Sequence, residues 1–154
     1  MNSTRRSEIV ENTLDLPILL AEDNEDDVHI IQRGIEMARL PPPTVVWDGV
    51  EAIDYLAGLG VYADRGQYPY PALILLDLTM PRKNGFEVLE WLKDEKRQRF
   101  PVVIVLTVSV SRADIDRAYR LGASSYLCKP SGLAGLNELA VKILQFWKLV
   151  KRPS

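Results

Sequence analysis

The chain alternates between short apolar runs and longer segments in which apolar residues return every three or four positions. The runs are Pro17–Ala21 (PILLA), Thr44–Trp47 (TVVW), Leu73–Asp77 (LILLD), Pro101–Leu106 (PVVIVL) and Ser125–Cys128 (SYLC). Runs this short, bounded by turn-forming residues, predict strands buried on both faces of a parallel sheet. Between the first two, Val28, Ile31, Ile35 and Ala38 recur at helical spacing and predict a helix over about Glu25 to Arg39. Pro41-Pro42-Pro43 stops it. Val50, Ile53, Tyr55 and Leu56 mark a second helix, ended by Gly58 and Gly60. Phe86, Val88, Leu89 and Leu92 mark a third over Asn84 to about Arg97. Ser111 caps a fourth that carries Ile115, Ala118, Tyr119 and Leu121 and is closed by Gly122. Leu133, Leu136, Leu139, Ala140, Ile143, Leu144 and Trp147 form the apolar side of a last helix, Gly132 to about Val150.

Strict alternation of strand and helix implies a parallel sheet with right-handed crossovers and helices on both faces. The expected fold class is therefore α/β: a five-stranded, doubly wound, three-layer α/β/α domain over residues 16–150. A flexible tail is expected at residues 1–15 and a short one at 151–154. The flavodoxin-like strand order 2-1-3-4-5 is adopted by fold analogy; it places strands one and three together at the switch point where such sheets bind ligands. The connection from Val61 to Pro71 is longer than most in α/β units and carries three tyrosines with little periodicity.

Composition narrows the function classes. The 154 residues suffice for one domain with a full core. A net charge of −2, from 19 basic and 21 acidic residues, supplies no global attraction to nucleic acid or anionic membrane. The basic clusters Arg82-Lys83, Lys96-Arg97-Arg99 and Lys148-Lys151-Arg152 read as solvated turns or helix ends. No run approaches the ~20 apolar residues that span a bilayer, and the N-terminus has no signal-peptide core. The lone cysteine, Cys128, forms no internal disulfide, which fits a reducing cytoplasm; it reads as a small core hydrophobe. The lone histidine, His29, reads as a surface or cap residue.

The polar residues at the strand tips carry the chemistry. Strand one ends in Glu22 and Asp23, strand three in Asp77, strand four in Thr107 and strand five in Lys129. All would face one crevice at the carboxyl edge of the sheet. Carboxylates packed together repel one another and call for a cation. Oxygen ligands without histidine or cysteine suit a hard ion, Mg²⁺ (or Mn²⁺), while the lysine and hydroxyl are placed to hold anionic oxygens. A metal, a carboxylate nucleophile, a hydroxyl and an ammonium together suit phosphoryl transfer onto an Asp.

These segments, ILLAEDN, LLDLTMPRKNGFEVL, VIVLT and SSYLCKP, in this order and spacing, resemble the receiver domain of two-component response regulators. The resemblance covers about Leu16 to Val150. It implies that Asp77 accepts a phosphoryl group from a histidine kinase. It further implies that Asp23, Glu22, Asp77 and the backbone carbonyl of Thr79 hold the metal. Thr107 and Lys129 would contact the phosphoryl oxygens, and Tyr126 would be the aromatic switch that moves with Thr107. The Lys129-Pro130 bond would be the family's lysyl-prolyl bond, commonly cis. The long Val61–Pro71 connection and the absence of room for an output domain resemble stand-alone receivers that partner bacterial phytochrome-type kinases and signal by protein contact. Such a module is a phosphoacceptor and not a turnover enzyme. Phe146 and Val150 widen the apolar stripe of the last helix, so a homodimer through the last strand and helix is expected. Val108 stands where the family is usually small and is expected to narrow access to Asp77. A phosphatase with an aspartyl nucleophile would need a second acid where Thr79 stands, and an unphosphorylated binding module would have no need of all five site residues.

Overall fold

A computed structural model describes residues 16–94 and 100–151. The expected tails at 1–15 and 152–154, the end of the third helix toward Arg97 and the cluster Lys96-Arg97-Arg99 lie outside the described residues. Five strands alternate with five helices: β1 (Ile18–Ala21), α1 (Glu25–Met37), β2 (Thr44–Val46), α2 (Gly49–Ala57), β3 (Leu73–Leu76), α3 (Gly85–Asp94), β4 (Val102–Thr107), α4 (Arg112–Arg120), β5 (Ser125–Cys128) and α5 (Leu133–Leu149). The strands form one parallel sheet in the order 2-1-3-4-5, as expected. Leu20 lies beside both Val45 and Leu75, Leu75 beside Ile104, and Ile104 beside Ser125.

Successive strand residues point to opposite faces, so each apolar run feeds two cores. Leu19, Ala21, Ile74, Leu76, Val103 and Val105 face α2 and α3. Ile18, Leu20, Leu73, Leu75, Ile104 and Leu106 face α1 and α5. On the second face Gly34 of α1 lets the helices close: a Cβ there would stand 3.0 Å from that of Ala140. Trp147 fills the base of this core at 2% exposure. Lys148 Nζ of α5 donates to the carbonyl of Ala38, just past the end of α1 (2.9 Å), where the helix dipole favours a cation.

The periphery departs from expectation in three places. The α4 helix buries only Ala118, and Tyr119 lies outside. The reason is position: α4 covers the edge of the sheet, where β5 is itself only partly buried. For the same reason Cys128 is exposed rather than a core residue; its Sγ contacts the carbonyl of Ser109 at 3.4 Å. The Lys129-Pro130 bond is trans, since the described residues contain no cis peptide bond; trans is the isomer a prolyl amide favours, by about 0.5–1 kcal/mol.

The connection into β3, long and with little periodicity in sequence, is ordered by its own side chains. It begins with a 3₁₀ turn at Gly60–Ala63. The rings of Tyr62 and Tyr68 pack on each other and on Tyr55 with centroids 5.0–6.2 Å apart. Arg65 donates to the carbonyls of Tyr55, Leu56 and Tyr68, and so caps the C-terminal end of α2.

Candidate functional site

The site is assembled at the carboxyl edge of β1, β3, β4 and β5. After β1 the chain turns directly into α1. The N–H of Glu22 donates to Val46, which holds the turn against β2 (3.1 Å). Asn24 caps α1 by accepting the N–H of Asp27 (3.0 Å). This turn buries Glu22, leaves Asp23 exposed and half-buries Asp27.

Asp77 follows β3 directly and is 6% exposed. Its N–H donates to Ala21, so the β3 tip is bound to the β1 tip (3.0 Å). Its Oδ1 accepts the N–H of Thr79 (3.1 Å), which folds the following loop back over the carboxylate. Two glycines let backbone approach this loop. A Cβ on Gly85 would lie 2.5 Å from the carbonyl oxygen of Asp77, and one on Gly49 would run into the carbonyl of Lys83. Arg82, in left-handed backbone (φ 64°), reaches Asp48 with Nε and Nη2 at 2.8 and 3.1 Å. The same Asp48 carboxylate caps α2 through the N–H of Glu51 (2.8 Å). Arg82, expected as a solvated turn residue, is thus exposed but clasps the acceptor loop to α2.

Lys129 closes the site from the far edge. Its N–H donates to the carbonyl of Thr107 (2.7 Å), joining the tips of β4 and β5. Its Nζ donates to Glu22 Oε2 at 2.6 Å, Asp77 Oδ2 at 2.8 Å and Asp27 Oδ2 at 2.9 Å. One ammonium therefore faces four nearby carboxylates, Asp23 included, and negative charge is in surplus. Burial, and next the charge of Asp77, push the Glu22 carboxyl up to about 8. Burial works against the Lys129 ammonium, but its bonds to Asp77, Glu22 and Asp27 outweigh it and hold its pKa above the usual lysine range.

A divalent cation fits this donor set. Glu22, Asp23 and Asp77 each offer an oxygen within 4.8 Å of the others, and an all-oxygen, electron-rich cluster is what hard ions bind. The hydroxyl of Thr107 fits the other half of the expectation: it is fully buried and makes no hydrogen bond to the described residues. Tyr126 is half-buried, with its hydroxyl donating to Ser109 in the β4–α4 loop (3.0 Å).

A family model for the response regulator receiver domain matches residues 18–141. The chain belongs to that family. The receiver is similar to the response regulator Rcp1 of Synechocystis sp., 34% identical over 131 residues, covering 84% of this chain and 87% of Rcp1. The solved Mn²⁺-bound form of Rcp1 superposes with a TM-score of 0.82 at 33% identity, covering 90% of this chain and 99% of that one. The phosphorylated cyanobacterial phytochrome response regulator RcpA gives a TM-score of 0.83 at 35% identity with the same coverage, 90% and 99%. The regulator RPA3017, in red light signaling of R. palustris, gives 0.78 at 36% identity, again over 90% and 99%. The receiver thus belongs to a family of two-component signalling modules that are generally not enzymes, and it is similar to regulators whose own roles lie in phytochrome and red-light signalling.

The fold brings Glu22, Asp23, Asp77 and Lys129 into one cluster, with Thr107 tied to Lys129 through the backbone. Val108, one residue further, is 70% exposed. Asp27 is the participant that sequence reasoning missed. It is one of three acids in the first turn of α1, where the helix dipole already accounts for negative charge. No local pattern marks it: Asp23 precedes the cap Asn24 and lies outside the helix, and the contact of Asp27 with Lys129 spans 102 residues of sequence. Among the described residues no helix is long and apolar enough to cross a membrane.

Proposed function

We propose that the receiver accepts a phosphoryl group on Asp77 from the phosphohistidine of a sensor kinase. The observation that carries this reading is the position of Asp77: buried at the tip of the central strand, with one oxygen 2.8 Å from the Lys129 ammonium and the other fixed by the N–H of Thr79. A carboxylate so held keeps one face for in-line attack. A new Asp77 oxygen–phosphorus bond forms as the phosphorus–nitrogen bond to the kinase histidine breaks, and the electron pair leaves with the imidazole.

Glu22, Asp23, Asp77 and the Thr79 carbonyl would hold Mg²⁺ (or Mn²⁺), which supplies positive charge to offset that of the phosphoryl oxygens. Lys129 supplies the fixed cation of the site. Thr107 supplies a buried hydroxyl with no hydrogen-bond partner among the described residues, so turning toward a phosphoryl oxygen gives it a bond at little cost. That movement vacates space beside β5 for Tyr126, whose hydroxyl then leaves Ser109. The bistable element is the β4–α4 loop with β5, and its two states differ in the surface shown to partners.

The kinase is of bacterial phytochrome type, a reading supported by the similarity to RcpA, Rcp1 and RPA3017. The receiver pairs with a second copy through β5 and α5. Support comes from α5, where Phe146 and Leu149 are 64% and 76% exposed; Val150, expected to widen the same stripe, instead packs partly buried against the second core. Sedimentation across a concentration series reads this: a mass that stays monomeric throughout ends the dimer. Mobility in Phos-tag gels after treatment with acetyl phosphate and Mg²⁺ tests the acceptor. The wild type shifts and Asp77→Asn does not; a wild type that never shifts leaves a passive binding module.

A further inference from the structure

We infer that Asp27 positions the Lys129 ammonium and competes with the phosphoryl group for it. The inference rests on the reading of Asp77 as acceptor. A lysine ammonium has three N–H donors. Here all three are committed, to Glu22, Asp77 and Asp27 at 2.6, 2.8 and 2.9 Å. A phosphoryl group on Asp77 brings new anionic oxygens, and Lys129 has no fourth donor to offer them. Asp77 gives up its carboxylate charge as the acyl phosphate forms, so its donor passes to the phosphoryl group; for the ammonium to make a second bond there, Glu22 or Asp27 must also give way.

The surroundings single out Asp27. Glu22 and Asp77 belong to the oxygen cluster that fits a divalent ion, and Asp27 does not. The Glu22 and Asp77 side chains are 2% and 7% exposed, whereas that of Asp27 is 19% exposed, so water can replace the ammonium there most easily. Its place is also fixed, since its N–H is bonded to the cap Asn24 at the start of α1. Before phosphorylation Asp27 draws the ammonium toward α1; afterwards it is released to solvent while Lys129 turns to the phosphoryl oxygens. Its negative charge strengthens cation binding beside Asp77 and weakens anion binding on it.

The opposite signs make the test. Wild type, Asp27→Asn and Asp26→Asn are compared, first by calorimetric titration with Mn²⁺ alone, then by phosphorylation with subsaturating acetyl phosphate at a Mg²⁺ concentration that saturates all three. Asp26 occupies the same first turn and is exposed, so its variant reproduces the loss of a helix-start charge without a Lys129 contact. Asp27→Asn weakens Mn²⁺ binding and raises the extent of phosphorylation, each by roughly three- to tenfold, the net scale of one partly solvated hydrogen bond. Asp26→Asn moves both by less than about twofold, as expected for a screened surface charge. A structural role alone would lower cation binding and phosphorylation together, and that result overturns the inference, as does an Asp27→Asn protein matching wild type or Asp26→Asn. A wild type that takes no phosphoryl group overturns the acceptor reading itself, and the inference with it.

Discussion

The interior and the edge of this sheet are built differently. The interior, β1 and β3 with α1 and α5, packs to completion: α1 buries Val28, Ile31, Gly34 and Ile35, and α5 buries Leu136, Ala140, Ile143, Leu144 and Trp147. The edge, β5 with α4, buries Ala118 and little else, and is held by polar contacts: Tyr126 to Ser109, Tyr119 to the N–H of Tyr126, and Ser109 to Asp114. The acids of the site stand on the interior and Tyr126 on the edge. Lys129 is chained to the edge but ion-paired to the interior, across 52, 102 and 107 residues of sequence. A rigid half that places charge and a loosely packed half that moves with it is the arrangement a switch requires, because elements that change in signalling come from the low-stability end of a fold.

Truncation in the interior has the largest expected effect. Trp147→Ala removes a fully buried indole and costs about 3–5 kcal/mol, read by denaturant unfolding. A loss near that of an exposed aromatic would mean that α5 is no more tightly held than α4. At the edge, Tyr126→Phe removes one hydrogen bond and costs about 1 kcal/mol or less. Its signature is local: amide hydrogen exchange across α4 quickens while exchange across α1 is unchanged. Faster exchange across both would merge the two halves into one cooperative unit. The smallest effect is expected at Val108. Val108 is exposed just past the tip of β4, so Val108→Ala leaves stability unaltered; the expected narrowing of the approach to Asp77 would show as a shorter phosphoryl lifetime in the variant. An unchanged lifetime removes Val108 from the account.

Legibility in the sequence follows the same division. Interior strands and helices were readable because burial on both faces writes long apolar patterns, and the site acids because each ends such a strand. The strand order needed analogy, since alternation alone permits other doubly wound orders. At the edge the pattern misled. Tyr119 and Cys128 carry apolar character without burial, because an apolar residue in a terminal strand or its covering helix need not find a second layer. Asp27 and the Asp48–Arg82 clasp were hidden for another reason: both are pairings between distant residues whose local settings, a helix start and a turn, already accounted for their charge. The Val61–Pro71 connection was likewise opaque, because Arg65 and the tyrosines gain their meaning only once α2 is beneath them.

The central claim is that Asp77 is the residue phosphorylated. Borohydride reduction of the acyl phosphate, formed with acetyl phosphate and Mg²⁺, followed by peptide mapping by mass spectrometry, locates it directly. The account predicts a single reduced residue at position 77, absent from Asp77→Asn. Reduction mapping to Asp23, Asp27 or any other acid, or persisting in Asp77→Asn, would contradict it.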